Sequence, residues 1–341
     1  MKVFLTVPSL DIESFKGLAR VSLELVKRLK DRVDLHVYDV LGKGKNYFKT
    51  LTTVPINQLI ERADIFHATS PECGIFLPFF KKNTVATFHD FIPFEFSETL
   101  GYRKKIIVKN YAKFAWSLAS KCKVIVANSS QTAKEIEKHY KRKAIVINPG
   151  VDNLKHMKIK KEKITLGFFA NFSYRKRANI AIEVFKILKE RTDYQLILAG
   201  GALYTQYQEQ FDIANMIRGL DDVKVLGFVP EKKIQELYNS FDVFIFPSSY
   251  EGFGIPILEA QRCGIPTFIM EDARIPEETA KFAIRCGSPE DMANKVMALF
   301  HDKSKYSKIS KNGMKYAEKF TWEKFVDSYL KIYEALAKSK T

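Results

Sequence analysis

The sequence predicts an α/β protein built as two doubly wound parallel sheets, and three observations carry that reading. First, short apolar runs rich in β-branched and aromatic residues recur along all 341 residues. They are continuous rather than alternating, as expected of parallel strands covered on both faces. Second, amphipathic helical stretches separate these runs, which is the signature of right-handed βαβ units. Third, the pattern divides into two similar halves at Asn148-Pro149-Gly150, a turn signal followed by a charged stretch over residues 155–163.

Taken in order, residues 3–7, 33–38, 65–68, 84–89, 124–128 and 144–148 are the expected strands of the first half. Residues 164–170, 195–199, 223–226, 243–247, 267–270 and 282–285 are those of the second. The intervening helices are expected over 18–29, 104–121, 130–140, 178–190, 231–240 and 289–300. The expected domains are therefore 1–150 and 151–320, with 321–341 as a final helix. Ligands of doubly wound sheets bind at the carboxyl ends of the strands, so the informative residues should follow the strands directly.

Composition excludes several classes. Apolar residues at 46% and charged residues at 28% describe an ordinary globular chain. No apolar run approaches the ~20 residues of a spanning helix. The apolar N-terminus is interrupted by Pro8 and followed by Asp11 and Glu13, which reads as a buried first strand rather than a signal peptide. Cys73, Cys122, Cys263 and Cys286 lie far apart and form no C-x-x-C pair, so reduced thiols in a cytoplasmic protein are expected. The net charge is +16, and residues 1–150 carry 25 basic against 14 acidic side chains. Such a field favours phosphate-bearing partners, or reflects a Lys-rich surface with no partner at all.

The most informative segment runs from Pro247 to Pro266, Pro-Ser-Ser-Tyr-Glu251-Gly-Phe253-Gly254-Ile255-Pro256-Ile-Leu-Glu259-Ala-Gln-Arg-Cys-Gly264-Ile-Pro. A strand ends, a glycine-bearing loop follows, and Pro256 sits where a helix begins. Gly264 and Pro266 close that helix. The N–H groups of Phe253, Gly254 and Ile255 suit an anion, whereas Glu251 and Glu259 suit sugar or ribose hydroxyls. The alternative reading is a capped and decorated helix start without chemistry.

This segment resembles the E-x7-E motif of retaining family-4 (group 1) glycosyltransferases, and the resemblance runs along nearly the whole chain. It implies the GT-B fold, two Rossmann-like domains facing a cleft. The N-terminal domain would then be the acceptor side and the C-terminal domain the nucleotide-sugar side. The last helix, opened by Phe320-Thr-Trp322, would cross back to the first domain. In the family the first Glu contacts the transferred sugar and the second holds the ribose, positions matched by Glu251 and Glu259.

Further matches follow. Phe169-Ala-Asn171-Phe-Ser173-Tyr-Arg175-Lys176 carries the basic pair that neutralises the diphosphate leaving group. Some members place the Arg directly after a strand-end Gly, where this chain has Ala170 and Asn171. Val85-Ala-Thr-Phe-His89-Asp90 resembles the segment whose His reaches the donor sugar, although a lone strand-end His is often structural. Lys16-Gly17-Leu-Ala-Arg20 matches a glycine-bearing loop that approaches the diphosphate, with one glycine where the family often has two. Gly200 ends a strand, and Phe228 lies where the family's backbone reads the base.

The implied activity is retaining, metal-independent hexose transfer from a GDP- or UDP-sugar to a glycan or lipid-linked acceptor. GDP-mannose is the first expectation for the donor. No Asp-x-Asp, Gly-x-Gly-x-x-Gly, Gly-x-Ser-x-Gly or Walker A pattern is present. The alternatives are an epimerase or phosphorylase of similar architecture, an inactive sugar-binding relative, and nucleic-acid binding on charge alone. The last lacks a recognisable binding module. Residues 103–121 interleave Lys105, Lys109 and Lys113 with Ile106, Ile107, Tyr111, Phe114 and Trp116. Such a face would dock on an anionic membrane and place the protein peripherally on its inner side, or would pack on the sheet.

Overall fold

The computed structural model describes residues 1–41, 53–95, 102–190, 193–200 and 211–339, without the side chains of 12–16, 95 and 102–108. The chain divides into two compact units, Met1–Gly150 with Phe320–Thr341, and Val151–Lys319.

Among the described residues the N-terminal unit holds six strands: β1 (Lys2–Val7), β2 (Asp34–Asp39), β3 (Ile65–Ala68), β4 (Thr84–Phe88), β5 (Val124–Ala127) and β6 (Ile145–Val146). They form one sheet in the order β2-β1-β3-β4-β5-β6, and every pairing is parallel. The C-terminal unit holds β7 (Ile164–Phe169), β8 (Tyr194–Ala199), β9 (Val223–Gly227), β10 (Val243–Ile245), β11 (Thr267–Met270) and β12 (Ile284–Cys286). Their order is β12-β11-β10-β7-β8-β9, again all parallel. Chain order reverses between β1 and β3 in the first sheet and between β7 and β10 in the second. Those are the switch points at which such sheets bind ligands.

Burial on both faces holds for the central strands only. β3, β4, β10 and β11 are buried throughout. At the edges, β2 exposes Val37, β6 exposes Ile145 and Val146, and β9 exposes Val225 and Leu226. A central strand is sandwiched between helix layers, and an edge strand reaches past them.

Helix Ser130–Tyr140 begins on Ser129, whose hydroxyl accepts from the Thr132 N–H. Helix Pro289–His301 begins in the same way on Ser288. The first helix spans Ile12–Leu29, six residues longer at its N-terminus than the periodicity predicts. Among the described residues, the longer helices that went unpredicted are Thr53–Ile60 and Lys303–Ala317. The latter is Lys-rich with few buried residues, so its apolar stripe is too thin to register.

Helix Trp322–Lys338 belongs to the N-terminal unit. It buries Trp322, Phe325, Tyr329 and Tyr333. The Tyr333 hydroxyl lies 2.6 Å from Nδ1 of buried His67, whose Nε2 lies 2.8 Å from the Thr87 hydroxyl. Tyr329 reaches the same Thr87 hydroxyl at 2.9 Å. On the surface, Arg32 pairs with Glu323 and Asp327. Burial draws the His67 pKa down to about 3, with the charge of His89 acting in the same direction.

All four cysteines are unpaired and buried, and burial raises each thiol to about 12, which leaves them as small hydrophobes.

Candidate active site

The C-terminal unit brings its two predicted constellations together at the switch point. β10 pairs directly with β7, and the segments leaving their carboxyl ends meet. Ser249 N–H donates to the Arg175 carbonyl at 2.9 Å, which ties the loop after β10 to the 3-10 turn Tyr174–Lys176 after β7. A second backbone clasp joins Arg274 to this loop: its N–H donates to Ser249, and its carbonyl accepts from Glu251 N–H.

Glu251 is the centre of the cluster. Its Oε1 accepts from Lys176 Nζ at 2.5 Å, from Ser248 Oγ at 2.5 Å and from Arg175 Nη1 at 3.0 Å. Arg175 also donates to the Tyr250 carbonyl at 2.6 Å. Lys176 stands over the Phe246 ring, 5.0 Å from its centroid. Burial by itself would push the Glu251 carboxyl up. The Lys176 ammonium and the Arg175 guanidinium outweigh it, helped by hydrogen bonds from Lys176 and Ser248, and hold the carboxyl below its ordinary value. Two cations converge on one carboxylate at the strand ends. Arg175 Nε is buried without a protein partner, so the guanidinium retains a donor.

Phe253 is buried, and Gly254 caps the helix Ile255–Arg262 from a left-handed conformation with φ 92°. Only glycine adopts that φ without strain. Ile255 is the first helical residue, so amides of this turn point out of the helix without intrahelical acceptors. Glu259 lies one turn in, buried, and its Oε2 accepts from the hydroxyl of buried Tyr238 at 2.7 Å. Gly200 follows β8 with φ 120°, and a Cβ there would stand 1.9 Å from the Ala170 carbonyl oxygen, so this position also requires glycine. Phe228 lies just beyond β9 and is exposed. Asn171, where some relatives have Arg, accepts from Ser173 N–H and Oγ and so shapes the turn that presents the basic pair.

In the N-terminal unit His89 follows β4, half-buried. Its Nε2 donates to the Thr69 carbonyl at 2.7 Å, which sets the tautomer and leaves Nδ1 as an acceptor. Burial draws its pKa down to about 4 against the opposing hydrogen bond, so the ring is neutral at pH 7. Gly17 differs from expectation. It lies inside the helix Ile12–Leu29 rather than in a loop after β1, because the helix starts at Ile12. An interior helical N–H is committed to the carbonyl four residues back, so Gly17 supplies no loop amide for a diphosphate.

Helix Tyr102–Ala119 also departs from the sequence reading. Trp116 is buried, stacks edge-on with Phe88 and Phe91, and donates from Nε1 to Glu72 at 2.7 Å. It is a core residue. Phe114 remains exposed, and Lys105, Ile106 and Ile107 lie outside the described side chains. No described helix is long and apolar enough to cross a membrane.

Sequence reasoning missed Ser248, Tyr238 and Arg274. Ser248 lies in the quoted motif, three residues before Glu251. Tyr238 is 21 residues before Glu259 in sequence, on a helix whose apolar periodicity accounted for it as core.

Comparison with known proteins now adds to the geometry. The family model described as "Glycosyl transferases group 1" matches residues 152–316, and "Glycosyltransferase Family 4" matches residues 28–153. The chain belongs to the group 1, family-4 glycosyltransferases. This glycosyltransferase is 25% identical to an uncharacterized glycosyltransferase of Methanocaldococcus jannaschii over 99% of both chains. It is 28% identical over 169 residues to O-antigen chain mannosyltransferase B of Escherichia coli, a match covering 48% of this chain and 43% of that one. Among solved structures, sucrose-phosphate synthase from Thermosynechococcus elongatus superposes with a TM-score of 0.79 at 14% identity, covering 99% of this chain and all of that one. Anabaena HepE in complex with UDP and glucose superposes with a TM-score of 0.74 at 17% identity, covering 98% of this chain and all of that one. These likenesses place the fold in the GT-B class.

Proposed function

We propose that this glycosyltransferase moves a hexose from a UDP- or GDP-sugar to a glycan or lipid-linked acceptor, with retention of configuration and without a metal ion. The cluster of Arg175, Lys176 and Glu251 at the switch point of the C-terminal sheet carries this reading. Breaking the sugar–phosphate bond leaves negative charge on a diphosphate, and preorganised cations stabilise charge as it develops. Lys176 and Arg175 supply it, aided by amides of Gly254 and Ile255. Glu259, held by Tyr238, takes a ribose hydroxyl. Glu251, kept ionised by its cationic neighbours, accepts from sugar hydroxyls. His89 of the N-terminal unit, neutral with Nδ1 as acceptor, suits a hydroxyl. The leaving phosphate accepts the proton of the acceptor hydroxyl, so no protein nucleophile is needed. The UDP and UDP-glucose bound by HepE, and the mannosyltransferase name of the E. coli relative, support a UDP- or GDP-hexose as the donor.

The test is a thermal-shift panel of UDP, GDP, ADP, dTDP and CDP in the presence of a chelator, followed by their sugars. A nucleotide at 100 times its Kd should stabilise by about 2.7 kcal/mol. One nucleotide shifting the melt, with the shift lost in Glu259→Ala, supports the reading. No shift with any nucleotide overturns it. Product analysis then separates glycoside formation from an isomerised donor or a phosphate-dependent reaction.

A further inference from the structure

The N-terminal unit carries an apolar surface that the transfer chemistry does not use. Helix Thr53–Ile60 exposes Ile56, Leu59 and Ile60 at 58, 55 and 69%. The short turn Leu77–Phe80 exposes Phe79 and Phe80. These segments are stitched together, because Lys81 Nζ donates to the carbonyls of Leu59 and Glu61 at 3.2 and 2.8 Å. Lys121 Nζ lies 5.6 Å from the centroid of the Phe79 ring. Exposed Phe114 lies on the helix Tyr102–Ala119, which leads directly to Lys121. Single exposed apolar residues are ordinary, whereas large ones on neighbouring segments mark an interaction site.

The charge around these residues is one-sided. Arg62, Lys82, Lys113 and Lys121 are exposed. Between Glu98 and Glu135 the chain has eight Lys or Arg and no Asp or Glu. Nearby Glu61 is taken by Lys2 at 2.9 Å, and Glu72 by Trp116. Protein–protein interfaces are depleted in Lys, while a lysine rim around aliphatic and phenyl groups suits lipid headgroups above acyl chains.

We infer that the surface of Ile56, Leu59, Ile60, Phe79, Phe80 and Phe114, rimmed by lysines, docks the enzyme on an anionic lipid bilayer. The phenyl rings enter the headgroup boundary, and the lysines meet the negative surface. The face expected on residues 103–121 is thereby relocated, with Trp116 removed to the core and the apolar contact supplied by the two segments before it. The docking itself stands on the surface. Its consequence, an acceptor presented at the membrane, rests on the transferase reading.

Co-sedimentation of the full chain with phosphatidylcholine vesicles, with and without about 30 mol% phosphatidylglycerol, tests this inference. The chain should bind the anionic vesicles preferentially and lose binding as salt rises. Phe79→Ser with Phe80→Ser should lower the partition at least about tenfold. Lys113→Glu with Lys121→Glu should remove the preference for anionic lipid. Lys308→Glu with Lys311→Glu, on the C-terminal unit, should bind as the parent does. The nucleotide-induced thermal shift, measured on every variant, reports folding and the donor site separately from docking. If the double Phe variant lacks that shift, Ile60→Ser and Phe114→Ser replace it. Absence of binding to anionic vesicles, equal binding by the apolar-face variants, or a dimer dissolved by those variants while vesicle binding persists would each overturn the inference.

Discussion

The carboxyl ends of the two sheets solve different chemical problems. In the C-terminal unit the strand ends at the switch point are charged. Arg175 and Lys176 converge on Glu251, and all three side chains are nearly buried. In the N-terminal unit the two histidines at and near the strand ends are neutral. His89 is tied to the Thr69 carbonyl, and His67 to Tyr333 and Thr87, with both rings held uncharged by burial. A buried cationic cluster suits a leaving group that acquires charge, and a neutral acceptor suits a hydroxyl that does not. The same architecture thus carries two electrostatic environments, set by a few residues beyond β4, β7 and β10.

The largest effect should come from breaking the charged end. Glu251→Ala leaves Arg175 and Lys176 facing each other without their carboxylate. Removing one partner of a buried pair costs about 3–5 kcal/mol, so chemical denaturation should show a loss of that order alongside lost transfer. Lys176→Ala relieves that crowding, so its main effect should be kinetic. A fall in kcat of about 10²–10³ is expected for one lost donor to a developing anion. Unchanged turnover in either variant would remove the cluster from the mechanism.

The neutral end should respond to acid instead. His67 and His89 have folded pKa values of about 3 and about 4, below the unfolded value of 6.5. Between about pH 6 and pH 4 the unfolded chain therefore takes up protons that the folded chain refuses, and stability falls as pH falls. Each histidine contributes about 1.4 kcal/mol per pH unit in that window. Urea midpoints from pH 7 to pH 4.5 should show the decline, and His67→Gln should flatten it. A decline unaffected by His67→Gln would assign it to His89 and to the carboxylates, Glu251 among them, whose lowered pKa acts in the same direction.

A smaller effect is expected at Tyr238→Phe, which leaves packing intact and deletes the bond to Glu259. Nucleotide affinity should drop about tenfold, the equivalent of about 1.4 kcal/mol, with little change in kcat. Smaller still, Tyr333→Phe deletes one bond to His67 and should cost about 1 kcal/mol of stability with donor affinity unchanged.

The sequence by itself determined the fold class, the division near Gly150 and the strand-end positions of Glu251, Lys176 and His89. Those features are local: continuous apolar runs, helix caps and punctuating Gly and Pro act within a few residues of where they stand. Only the tertiary structure decided the partners. That Arg175 and Lys176 share Glu251 depends on β7 and β10 becoming neighbours, although 73 residues separate Ser248 from Arg175. The link from His67 to Tyr333 spans 266 residues. Gly17 changed from loop to helix because the helix begins at Ile12, directly after Asp11, a residue type that favours a helix start. Trp116 changed from surface to core because Phe88, Phe91 and Glu72 surround it. The exposed face of Ile56, Leu59, Phe79 and Phe80 was illegible for the converse reason. An apolar residue in sequence reads as core, and only the packed structure shows which ones the core left out.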